Sequence, residues 1–147
     1  MSKNETEYVL DTSSLWAIYQ NKSDKGCIKK IQKAVSSGGI ICHHSSKASI
    51  VGMSKSVKEF FNSHFDPDAI SHNPSVEVIQ KARLYQEAEG AQRLSDDDLF
   101  AAALASEMKC KLVVGGQSKN AELLRKLGSD AGIDTLDFVE FLELIDA

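Results

Sequence analysis

The sequence predicts an α/β domain built on a short parallel sheet with helices on both faces. Three observations carry this expectation. Short β-prone apolar runs recur along the chain: Tyr8-Val9-Leu10, Ile40-Ile41-Cys42 and Lys111-Leu112-Val113-Val114. Helix-period segments lie between them, and strands joined by helical crossovers pair in parallel. The length, 147 residues, matches one domain of ordinary size. No repeat, linker or low-complexity stretch divides it, so residues 1–147 are read as a single domain.

The elements follow in order. A first strand near residues 7–11 hands over to a short helix from about Ser13 to Gln20. Asn21-Lys22-Ser23-Asp24 makes a turn, and a basic helix runs from Lys25 to Ser36 with Ile28, Ile31 and Val35 at helical spacing. Ser37-Gly38-Gly39 stops it before a second strand, Ile40–Cys42. Residues 46–63 read as one helix with Ile50, Val51, Val57, Phe60 and Phe61 on its apolar side, broken by Phe65-Asp66-Pro67-Asp68. Pro74 suits the first turn of a long amphipathic helix reaching about Glu89. A helix Asp96–Met108, a third strand closed by Gly115-Gly116, and a helix from about Asn120 to a stop at Gly128 come next. Ile133–Leu136 reads as an edge strand, and Asp137 as the cap of a last helix, Phe138–Ile145.

Composition excludes several classes. At 42% hydrophobic and 26% charged, the chain is globular rather than disordered. No apolar run approaches the roughly 18 residues of a membrane helix. The polar start, Met1 to Glu7, lacks the apolar core of a signal peptide. Cys27, Cys42 and Cys110 are odd in number and irregularly spaced, which suggests neither a disulfide framework nor a four-ligand zinc site. A reducing cytoplasm is the expected compartment. A formal net charge of −4 gives no overall attraction to nucleic acid, so an RNA partner requires a local basic face. Lys25, Lys29, Lys30 and Lys33, preceded by Lys22, are the candidate face, with Lys119 on a far rim. A plain solvated helix surface explains the same residues.

Two acidic features carry chemistry. Asp11 stands at the C-terminal end of the first strand, where ligands gather in open α/β sheets. It is equally suited to cap the following helix. Ser95-Asp96-Asp97-Asp98 opens an alanine-rich helix, and Ser95 with Asp98 forms a capping-box pattern. Three successive aspartates exceed what capping requires, and the alanines allow the helix to pack close enough to bring one beside Asp11. Converging carboxylates make a hard-oxygen site for Mg²⁺ or Mn²⁺. Lesser candidates are His43 or His44 as phosphate contacts after the second strand, and Gly115-Gly116-Gln117-Ser118-Lys119 as a glycine turn offering backbone N–H groups to phosphate. Cys42-His43-His44 lacks a matching pair elsewhere for zinc.

The order apolar strand-Asp11-Thr12-Ser13-helix, then Leu94-Ser95-x-x-Asp98-Leu99 leading into alanines and a strand, resembles the PIN domain. The tail, through Asp137-Phe138-Val139-Glu140-Phe141-Leu142, extends the likeness over essentially the whole chain. The resemblance implies a single PIN-like domain with Mg²⁺- or Mn²⁺-dependent endoribonuclease activity, as in toxins of toxin–antitoxin pairs and in RNA decay. It implies that Asp11 and Asp98 are catalytic and metal-binding, with Asp97 as the alternate to Asp98. RNA is the implied partner, with an antitoxin-like or other protein and a second copy of the chain as further candidates. Two departures accompany it. Ser49 stands where the family usually has Glu, and Gln117 stands where it has Asp. With two of four acids replaced, weak metal binding is expected, and a catalytically inactive RNA- or protein-binding module is the alternative.

Overall fold

A computed structural model describes residues 6–65, 70–72, 75–88 and 90–145, with the side chains of Ser71 and His72 excepted. Five strands form one parallel sheet in the order β3-β2-β1-β4-β5. They are β1 (Tyr8–Leu10), β2 (Ile40–His43), β3 (Ser71–His72), β4 (Lys111–Val113) and β5 (Thr135–Leu136). β1 is central, pairing Leu10 with Cys42 on one side and with Val113 on the other. The helices are α1 (Thr12–Gln20), α2 (Lys25–Ser36), α3 (His44–Val51), α4 (Lys55–His64), α5 (Val76–Gln86), α6 (Asp96–Met108), α7 (Lys119–Asp130) and α8 (Phe138–Ile145).

Because successive side chains leave a strand on opposite faces, the apolar runs supply two cores. Tyr8, Leu10, Ile40, Cys42 and Val113 pack with Leu15, Ile18, Ile31, Phe60 and Phe141 on one side. Val9, Ile41, Leu112 and Val114 pack with residues of α5, α6 and α7 on the other. Ala101 to Ala105 of α6 are all fully buried, so this helix lies against the sheet with little side chain between them. The parallel sheet with helices on both faces stands as expected.

Four readings are corrected. The single helix over 46–63 is two helices: Gly52 closes α3, and Ser54 caps α4 by accepting from Val57 N–H at 3.2 Å. β3 is an additional strand; its two polar residues gave no apolar run to read. Gly128 does not end α7, which continues to Asp130. Its role is close packing, since a Cβ there would meet Thr135 Cγ2 of β5 at 2.8 Å. The strand expected over 111–114 ends at Val113. Asp66, Pro67, Asp68, Pro74 and Glu89 lie outside the described residues. Among the described residues no helix is long and apolar enough to cross a membrane.

Candidate carboxylate site

Asp11 leaves the C-terminal end of β1 and caps α1 with its side chain. It is only 2% exposed. Its Oδ1 accepts from Ser14 N–H at 2.8 Å, Ser14 Oγ at 2.7 Å and Ser13 Oγ at 2.9 Å, and Oδ2 accepts from Ser13 Oγ at 2.7 Å. Burial pushes its pKa up; the two serine hydroxyls and the backbone N–H groups of Ser14 and Gly115 pull the other way.

The turn after β4 completes this cradle. Ser14 Oγ also lies 2.7 Å from Val113 O, so its one proton is shared between that carbonyl and Asp11, and Gly116 N–H donates to Ser13 Oγ at 2.9 Å. The glycines are needed for close approach: a Cβ on Gly115 would lie 3.0 Å from Ser14 Cα, and one on Gly116 would lie 3.1 Å from Ser13 Cβ. Arg125 of α7 fastens the same turn, donating to Val114 O at 2.7 Å and Gly116 O at 2.6 Å. Nothing in the sequence marked Arg125, whose partners are carbonyls on another element.

The acidic end of α6 comes up beside Asp11. Asp98 and Ser95 form the expected capping box, with Asp98 N–H donating to Ser95 Oγ at 3.2 Å and Ser95 N–H to Asp98 Oδ2 at 3.4 Å. The Asp98 pKa is raised, first by burial and next by the charge of Asp11, with Asp97 adding a smaller push. Asp97 accepts a hydrogen bond from Ser49 of α3. Three segments far apart in sequence therefore meet at the C-terminal edge of the sheet. Asp96 is exposed and instead lines a groove with Arg83, Leu99 and Phe100.

The lesser candidates fare differently. The amides of the Gly115-Gly116 turn point to Asp11 and Ser13, so they are spent inside the protein and do not form a phosphate cradle. His43 is buried, stacks on Phe100 at 4.6 Å, and caps α3 by accepting from Ser45 N–H, which removes it from the phosphate role. The Cys42 thiol is fully buried and pushed up to about 12, a poor metal ligand. Gln117 is exposed in a cleft with Arg125, Asp137 and Glu140. Ser118 caps α7, which Lys119 begins. Lys25, Lys29, Lys30 and Lys33 are all exposed on α2. Lys25, Lys29 and Lys33 share an edge with Gln32, and Lys30 lines a groove against Val139 and Leu142 of α8.

No protein-family model matches this chain, and no curated protein matches it.

Proposed function

We propose that this chain is a PIN-like cytoplasmic domain that acts on RNA as a weakly active endoribonuclease, using Mg²⁺ or Mn²⁺ held loosely by Asp11 and Asp98. The observation that supports this reading is the convergence of Asp11, Ser49 and Asp97-Asp98, segments met in the order the resemblance implies. The donor set suits such an ion in kind. All the donors are hard oxygens, and the raised pKa values of Asp11 and Asp98 come first from burial, with the charge of Asp11 adding to that of Asp98. In number the set falls short, since no group of three or more His, Cys, Asp or Glu able to hold a metal occurs among the described residues. Fewer charged ligands mean weaker binding.

When bound, the ion would offset charge on the phosphodiester and make a water more acidic. The chain's own residues divide the remaining tasks. Asp11, gripped by two serines and two amides, fixes the position of one carboxylate. Asp98 is half-buried with a raised pKa, which suits it to take a proton from an attacking water. Asp97, tied to Ser49, holds α6 and α3 together across the site.

One observation favours a second reading, a binding module without catalysis. Asp11 Oδ1 is filled by three protein donors, so the keystone carboxylate is stable without any ion. Manganese titration followed by an RNA cleavage assay separates the two. The nuclease reading expects Mn²⁺ affinity weaker than micromolar, less than about 8 kcal/mol, and slow cleavage that Asp98→Asn abolishes. Metal-independent RNA retention with no cleavage at saturating Mn²⁺ supports the module.

A further inference from the structure

The protein carries an aromatic column on α1 beside the basic edge of α2. Thr12, Trp16 and Tyr19 lie on one stripe of α1, at intervals of four and three residues, starting immediately after Asp11. Trp16 stacks on Tyr19 with ring centroids 5.4 Å apart and planes 28° from parallel. Lys22 Nζ sits 4.1 Å over the Tyr19 ring. Tyr19 in turn meets Phe60 of α4 edge-on at 5.4 Å, and Phe60 stacks on the exposed His64 at 4.4 Å. Gln32 of α2 donates to His64 O at 2.8 Å, which joins this patch to the edge bearing Lys25 and Lys29. Both lysines are exposed, and Trp16 and Tyr19 are partly so.

We propose that this patch binds a single strand of nucleic acid, with a base stacking on Trp16 and phosphates held by Lys22, Lys25 and Lys29. The rings and the charges together select the ligand. A polyanion needs only the lysines, and an apolar peptide needs only the rings. A strand of unpaired bases on a phosphate backbone uses both, since base–aromatic stacking tolerates any base and lysines track phosphates. The chain's net charge of −4 makes the local cluster the more selective. Among the described residues, no ring but Tyr19 stacks on Trp16, and the Trp16 end of the column is the one nearer Asp11. Trp16 lies five positions after Asp11, about 7.5 Å along the helix axis. A strand on this column is thereby led to the carboxylates. The inference rests on the RNA reading of that site for its direction, and the test below is run without metal so that the two fail separately.

Trp16 is the only tryptophan in the chain, so its fluorescence reports the site directly. The protein is titrated with a short oligouridylate in EDTA, with heparin as a polyanion lacking bases. Saturable quenching of Trp16 by the oligonucleotide and none by heparin is expected. Affinity should fall roughly twentyfold between about 50 and 200 mM salt, as three phosphate contacts on a single strand imply. Lys25→Glu with Lys29→Glu, both on the exposed edge, should weaken binding about tenfold or more while the circular dichroism stays unchanged. Tyr19→Leu, read by anisotropy of a labelled oligonucleotide, should weaken it as well. Absence of quenching, equal quenching by heparin, or undiminished binding by the folded double-lysine variant would each overturn the proposal. Binding in EDTA without cleavage when Mn²⁺ is restored would leave the patch standing and remove the nuclease reading.

Discussion

The two halves of the carboxylate site use one residue type in opposite ways. Asp11 is encased: its two oxygens are reached by the hydroxyls of Ser13 and Ser14 and by the Ser14 N–H, and backbone from β1, α1 and the turn after β4 closes around it. Asp97 and Asp98 are half-buried, held by a serine each and by one long capping bond. An enclosed carboxylate with its donors supplied is held in one position by the protein itself. A half-wet one that feels a neighbour's charge is the part free to meet a ligand. The difference lies in the number of donors provided, not in the distance from the sheet.

Truncation should expose this difference most strongly. Asp11→Ala removes a cap worth about 1 kcal/mol and strands buried serine donors at about 1–3 kcal/mol. A loss of about 3 kcal/mol in urea unfolding is expected, against about 1 kcal/mol or less for Asp98→Ala. Equal losses would erase the distinction. Gly115→Ala should follow at about 1–3 kcal/mol, the usual cost of overpacking, because the new methyl faces Ser14 backbone rather than a flexible side chain. If that variant is neutral, the turn after β4 yields more easily than its contacts suggest.

The pH response sharpens the comparison further. A carboxyl whose pKa rises on folding binds its proton more tightly in the folded chain. Its ionisation then lowers stability as pH climbs from the ordinary value of 3.8 through the raised one, and the loss is constant above that. Asp98→Asn keeps a capping side chain and removes the charge, so its melting temperature should exceed the parent's at neutral pH and match it near pH 4. Mn²⁺ should raise the parent's melting temperature and leave the variant's unchanged. The smallest expected effect separates the two substituted positions. Ser49→Glu places a carboxylate beside Asp97 and should tighten Mn²⁺ binding several-fold by calorimetry. Gln117→Asp, in the cleft with Asp137 and Glu140, should change it less.

The fold was legible wherever burial left a long signature. β1, β2 and β4 are buried on both faces and read as apolar runs, and most helices announced themselves through spacing and caps. β3 has two polar residues and exists only because β2 offers it an edge. The break between α3 and α4 was written in Gly52 and Ser54, but the flanking apolar positions kept a helical period across it. Gly128 shows tertiary packing overriding a local stop signal. At the site, Asp11 and Asp98 could be singled out because each strand-end or first-turn position is local. The inward turn of the Gly115 and Gly116 amides and the clasp of Arg125 could not, since both depend on which element lies across the gap.

The four buried alanines of α6, Ala101, Ala102, Ala103 and Ala105, have a consequence for how such a site can change over generations. With mostly methyl groups, beside Leu99 and Leu104, between helix and sheet, α6 has little slack to slide or rotate, and the backbone carrying Asp96 to Asp98 is held in one register against the sheet. Alterations at the rim must then occur by exchanging side chains on a stationary frame. A lineage in which Ser49 or Gln117 replaced an acid would have surrendered charge while keeping its coordinates. Exchanging such a side chain changes the charge at the rim without moving the frame that carries it.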